Sequence, residues 1–107
     1  MGWEKSGWPS WSLYRPIAAA AIKRGLPILA ANLPPDVARA VARDGLAALP
    51  APLAQQLSLD PAQDPTVLAD HKAEIQRAHC GVLPERSLAP FALAQYARDA
   101  EMARVMA

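Results

Sequence analysis

Leu88-Ala-Pro-Phe91-Ala-Leu-Ala-Gln95-Tyr96-Ala-Arg98-Asp99-Ala-Glu101-Met102-Ala-Arg104-Val-Met-Ala107 closes the chain and has the composition of one alanine-rich helix, beginning near Ser87. Phe91, Gln95, Arg98, Asp99 and Met102 recur at the spacing of a single helical face. An apolar anchor stands at each end of that stripe, with an amide, a guanidinium and a carboxylate between them. Groups of this kind are costly to bury unless each finds a partner. The stripe therefore predicts either an internal polar network or a lined cleft; the competing reading is a solvated face, the ordinary place for mixed charges on a helix.

Working back from that helix, proline and glycine punctuate the chain into periodic segments, and most of the 11 prolines fall between them. Val67, Leu68, His71, Ile75 and Ala78 define the apolar face of a helix starting near Pro65 and ended by Gly81, with Pro84 and Pro90 bracketing a turn. Asp60 to Asp64 is expected to be loop, preceded by a short helix near Leu53 to Leu57. Pro35 and Asp36 open a helix closed by Gly45, proline suiting the first helical position and an acid the first turn. Ser10 or Ser12 caps a first helix that runs to Gly25, with Pro16 expected in its opening turn. Residues 27–32, an apolar run between prolines, are expected to form one short strand with no partner in sight. The fold class that follows is mainly α, four or five helices with one orphan strand, resembling part of a larger α/β domain.

Trp3, Trp8 and Trp11 all lie in the opening segment with Tyr14. Residues 1–10 read as an aromatic-rich irregular arm and residues 11–107 as a helical body, within a single domain at most. Tryptophan buries a large area while its N–H seeks a partner, so such an arm is expected to dock on a core or an interface.

The charge balance excludes some partners. Eleven basic and ten acidic residues leave a formal net charge of +1, with no cationic block, so neither nucleic acid nor an anionic membrane surface is expected as a partner. No segment approaches the roughly 20 apolar residues of a spanning helix, nor does the N-terminus carry an apolar stretch of signal-peptide length. As written, the chain is expected to remain cytoplasmic. Cys80 is the sole cysteine, which rules out an intramolecular disulfide. His79 and Cys80 are adjacent and would point about 100° apart on a helix, so a closed four-ligand zinc site is not expected from them and His71.

Two blocks carry a family resemblance. His79-Cys-Gly-Val-Leu-Pro84 with Ala94-Gln-Tyr-Ala-Arg98-Asp-Ala-Glu-Met-Ala103, preceded in order by Trp11-Ser-Leu-Tyr14-Arg-Pro-Ile17 and Gly25-Leu-Pro-Ile-Leu-Ala-Ala-Asn-Leu-Pro34, resemble the ChaN-like haem-binding uptake proteins of the Tiki superfamily. The resemblance implies haem as cofactor and partner, held between helices and across a possible homodimer, in a protein of haem or iron uptake. Relatives are usually exported to the cell envelope, many as lipoproteins. Its Gly-Glu-x-His and Gly-x-x-His segments are not found here, so the chain is expected to be a partial ChaN-like domain. Binding rather than turnover is the implied role, and no catalytic residue is assigned.

Carried onto this sequence, the resemblance points to Tyr14, Arg15, His79, Gln95, Arg98 and Asp99 as cofactor-binding residues. Tyr14 lies in the matched Tyr-Arg-Pro segment and is the candidate iron ligand, since a tyrosinate can hold ferric haem; packing is the competing role for its ring. Arg15 can grip a propionate bidentately or pair with Asp99. Two readings from other classes stand beside haem binding: a ligand-free helical interaction module, and an inactive remnant of a Tiki-superfamily metal-dependent hydrolase.

Overall fold

A computed structural model describes residues 2–57, 59 and 65–107. It is mainly helical, with α1 at Trp11–Lys23, α2 at Pro35–Asp44, α3 at Ala51–Leu57, α4 at Pro65–Ala78 and α5 at Glu85–Met106. Single 3-10 turns occupy Trp3–Lys5 and Leu46–Ala48. The loop expected over residues 60–64 lies outside the described residues. The chain divides into two units, the first ending at Ala30 and the second spanning Ala31–Ala107. None of the described helices is long and apolar enough to cross a membrane.

In the first unit, Ser10 caps α1 through its hydroxyl, which accepts from the Ser12 N–H. The helix ends in a Schellman arrangement: the Leu26 N–H donates to the Ala21 carbonyl at 2.9 Å and the Gly25 N–H to Ile22 at 3.0 Å, with Gly25 left-handed at φ 67°. The aromatic arm folds onto this same helix. Trp3 stands at its centre, its ring 5.1 Å from both Trp11 and Tyr14 and 6.3 Å from Trp8. Its indole N–H reaches the Pro9 carbonyl at 2.7 Å, so burying the ring leaves no orphaned donor.

The strand expected over residues 27–32 is a correction: residues 26–31 have no regular structure, and among the described residues there is no strand. Apolar character favours a strand only where a neighbour accepts its ladder hydrogen bonds. With none to pair with, the run leaves Ile28 and Leu29 largely exposed. A second correction concerns proline. Pro90 lies inside α5 rather than at a bracketing turn, and the helix starts at Glu85, earlier than expected. Pro16 likewise sits at the sixth position of α1, beyond its opening turn. Each proline withholds an N–H from the carbonyl four residues back, on Ser12 and Arg86, and both of those residues are exposed to water.

The second unit is a helical assembly in which α5 packs against α4, α2 and α3. Pro35 takes the first position of α2 and Asp36 its first turn. Gly45 ends it at φ 82° and ψ −175°, a region open essentially to glycine alone. An added Cβ there would meet nothing closer than Leu93 Cδ2 at 3.9 Å, so the backbone, not space, requires the glycine. Leu33, Ala38, Val41, Leu49 and Ala97 form the buried core, with Leu46, Leu53, Leu57 and Leu93 packed around it. Glu101 is the one buried charged residue of α5. Its carboxylate accepts from Arg104 Nε at 2.7 Å and Nη2 at 2.8 Å.

Two outcomes follow from this packing. Val41 is fully enclosed, and Val41→Ala removes two methyl groups and leaves a void, so stability falls by about 2–3 kcal/mol; urea titration should show a lower midpoint with an unchanged slope. The hydrogen bonds from Arg104 hold the Glu101 carboxyl below the ordinary glutamate value of 4.5, against the opposing effect of burial. The folded chain thus binds this proton less tightly than the unfolded chain does. Its contribution is complete above the ordinary glutamate value and is lost as pH falls through the lowered one. Wild type should exceed Glu101→Gln in stability at neutral pH, and denaturation midpoints of the two should converge on acidification.

Candidate functional site

The circumference of α5 is divided between neighbours. Ala94, Ala97 and Glu101 lie on one buried side, and Leu88 and Ala92 on another. At a helical repeat of 3.6, Phe91, Arg98 and Met102 fall between these two sides, and Gln95 and Asp99 lie to either side of Leu88. Between α2 and α4, three of the stripe residues, Phe91, Gln95 and Arg98, border a cleft of ≈ 280 Å³. Ala38, Arg39 and Ala42 line it from α2, Ile75 and His79 from α4 and its end, and Phe91, Ala94, Gln95 and Arg98 from α5. The walls are mostly apolar, with polar groups confined to a few positions.

Arg98 is half-buried in this cleft, and its Nε is fully covered with no hydrogen-bond partner. No carboxylate among the described residues pairs with it. A covered guanidinium N–H without an acceptor carries a desolvation cost, and the unpaired cation it belongs to stands at the edge of the cleft. At one end of the cleft a shallower hollow places Arg39 and Arg86 beside Phe91. Arg43 lines the same hollow but is held by Asp44 at 2.7 Å. Phe91 is 43 % exposed and so forms part of the mouth rather than an enclosed anchor.

Toward the other end, Gln95 Nε2 donates to Asp99 Oδ1 at 2.6 Å. His71 Nε2 stands 3.5 Å from Asp99 Oδ2, close enough for an ion pair when the imidazole is protonated. His71, Glu74, Ile75 and His79 border this second compartment with Gln95 and Asp99. Ile75, His79 and Gln95 are common to both compartments.

The end of α4 fixes His79. The Gly81 N–H donates to the Gln76 carbonyl at 2.8 Å and the Cys80 N–H to Arg77 at 3.1 Å, another Schellman arrangement. Here the left-handed conformation begins at Cys80, at φ 54°, and continues in Gly81, at φ 74°. Gly81 thus ends the helix as expected from sequence, with Cys80 sharing the left-handed turn. Gln76 Nε2 ties the turn down, donating to the carbonyls of Gly81 at 3.3 Å and Leu83 at 3.2 Å. The Ile75 carbonyl accepts from the His79 backbone N–H at 3.1 Å and lies 2.8 Å from its ring Nδ1.

Of the six residues singled out from sequence, His79, Gln95, Arg98 and Asp99 therefore line this joined cleft of the second unit. Tyr14 and Arg15 belong to the first unit. The Tyr14 ring is half-buried against Trp3 and Trp8, and Arg15 is exposed on α1. An apolar groove in that unit runs along Trp3, Trp11, Tyr14, Ile17 and Ile28. Sequence reading missed Arg39 and Arg86, which look like ordinary surface charges until α2 and the start of α5 are adjacent. It also missed Gln76, whose part depends on a turn conformation. No group of three His, Cys, Asp or Glu side chains among the described residues is placed to hold a metal ion.

Comparison with known proteins adds one match. The family described as haem-binding uptake, Tiki superfamily, ChaN, matches residues 1–107, the whole chain. Neither the curated proteins nor the solved structures give a match.

Proposed function

Because the chain belongs to the ChaN family of haem-binding uptake proteins in the Tiki superfamily, we propose that it binds haem, in the service of iron uptake, within the cleft bordered by α2, α4 and α5. Haem is a flat apolar macrocycle with two carboxylates on one edge and an iron that takes axial ligands. The cleft has the matching parts. Ala38, Ala42, Ile75, Phe91 and Ala94 supply apolar wall, Arg98 and the rim arginines Arg39 and Arg86 supply cations, and His79 supplies an imidazole.

The observation that carries this reading is Arg98. Its guanidinium borders the cleft with no carboxylate of the described residues paired to it, which suits a carboxylate arriving with the ligand; the outer nitrogens would take a propionate, because Nε itself is covered by protein atoms. Ordinary stability offers no reason for such a group, which costs free energy until it is paired. The chemistry the cofactor supplies when bound is that of its iron. The chain's own residues exclude water from the ring with the apolar wall and orient the carboxylates with Arg98.

Titrating ferric haem into the chain should shift and sharpen the Soret band with saturable stoichiometry. Arg98→Met should weaken binding by about 10-fold or more, the loss of a charge-assisted pair worth roughly 1.5–3 kcal/mol. Without haem the same variant should be no less stable than wild type, because it deletes an unpaired polar group. Haem dimethyl ester, which lacks the carboxylates, should bind wild type and Arg98→Met alike. An unchanged Soret band with wild type overturns the reading; so does equal affinity of the two proteins for free haem.

A further inference from the structure

The near-neutral charge of the whole chain conceals an uneven distribution. Residues 1–30 carry Lys5, Arg15, Lys23 and Arg24 against a single acid, Glu4, a formal charge of +3, while the seven basic and nine acidic residues of 31–107 leave −2. None of those four cations forms an ion pair among the described residues. Apolar surface is distributed just as unevenly. Among the described residues eleven large hydrophobic side chains are exposed, and eight belong to the first unit, including Leu13, Ile17, Ile22, Leu26, Ile28 and Leu29. No described residue of that unit is buried. A unit ending at Ala30 is shorter than the roughly 40 residues below which a fold usually needs a disulfide, a metal or a partner, and the sole cysteine, Cys80, lies outside it.

On α1 the two properties fall on opposite sides. At about 100° per residue, the side chains from Leu13 through Ile17, Tyr14 and Trp11 to Ile22 occupy one half of the circumference, and Arg15, Ser12 and Lys23 lie on the other. Trp3 and Ile28 extend the apolar half, lining a groove of ≈ 240 Å³ with Trp11, Tyr14 and Ile17. A helix divided in this way lies in the plane of a lipid–water interface, its apolar half toward the acyl chains and its cations at the headgroups. Tryptophan and tyrosine favour that depth, since each is an apolar ring with one polar tip. From this we infer that the first unit docks on an anionic lipid surface, with α1 lying flat among the headgroups. Charge selects this occupant. A second copy would bring a charge of +3 against its like, and a nucleic acid would meet the cations but leave the aliphatic side chains in water. Anionic headgroups above acyl chains satisfy both properties together.

Trp3, Trp8 and Trp11 are the only tryptophans, so intrinsic fluorescence reports on this unit alone. The full chain, without haem, is mixed with vesicles of phosphatidylcholine or of equimolar phosphatidylcholine and phosphatidylglycerol, and binding is read by flotation and tryptophan emission. The mixed vesicles should shift the emission to the blue, shield it from acrylamide and bind on the order of 100-fold more tightly than phosphatidylcholine, with the preference falling at high salt. Ile17 and Ile22 are 72 % and 70 % exposed, so Ile17→Gln with Ile22→Gln should keep the wild-type circular dichroism spectrum yet weaken binding to mixed vesicles at least ~10-fold. Arg15→Gln with Lys23→Gln should reduce the preference for mixed vesicles at least ~10-fold. Val82→Gln, at an exposed apolar position of the second unit, should bind like wild type. The inference fails if wild type ignores the mixed vesicles, if it binds both kinds equally, or if either double variant matches wild type. It fails also if the lipid-free chain is a dimer that Ile17→Gln with Ile22→Gln splits, since the face then belongs to a second copy. No haem is present, so each of these outcomes is separate from the Soret titration.

Discussion

The arrangement of the second unit depends on the seam where α2 meets α5, which is built from small side chains. Ala38 and Val41 from α2 and Ala97 from α5 are buried there in one cluster. Short side chains let two helix backbones approach closely and interlock with little rotamer entropy lost. The same economy leaves nothing long enough to fill the space beside the seam. Ala38, Ala42 and Ala94 border that space and cannot close it, so where α4 lies along the other side of α5 a cleft remains. The cavity is thus a consequence of how the core is packed, and it falls on the strip of α5 where Gln95 and Arg98 stand.

Local chemistry made much of this fold legible in the sequence. Pro35, Asp36 and Gly45 delimit α2 because each has a position-specific backbone reason to stand where it does. The failures have equally definite causes. Pro90 looks like a terminator, yet six positions into a helix its missing N–H frees only the carbonyl of an exposed first-turn residue. Residues 26–31 have strand-like composition, but pairing is a property of two segments and cannot be read from one. Cys80 takes a left-handed conformation along with Gly81, where residue type alone assigns it only to the glycine.

Periodicity made the candidate site legible only in its α5 component, and His79 is reached through the family resemblance alone. Helical periodicity places Gln95, Arg98 and Asp99 on one strip, but a strip facing solvent and a strip facing a cleft have the same spacing. What separates them is the positions of α2 and α4, which are tertiary facts. His71 becomes a partner of Asp99 only when α4 lies against α5. His79 borders the cleft only because the turn after α4 folds back as it does, with its ring Nδ1 2.8 Å from the Ile75 carbonyl. No pattern of letters encodes that.

One local cost stands at this cleft and another just beside it, and both bear on function. Arg98 holds a covered N–H without an acceptor, where an aliphatic residue would carry no such penalty. One residue beyond His79, Cys80 occupies a left-handed backbone region that costs a side-chain-bearing residue roughly 1–2 kcal/mol and that glycine would occupy freely. A chain optimised for stability alone would relieve both. Strain and unpaired polarity persist where the surrounding structure enforces them, and they concentrate at ligand sites because the ligand completes what the protein leaves open. Arg98 and His79 both border one compartment, so an anion held by the outer nitrogens of Arg98 would offset the first of these costs within reach of the imidazole.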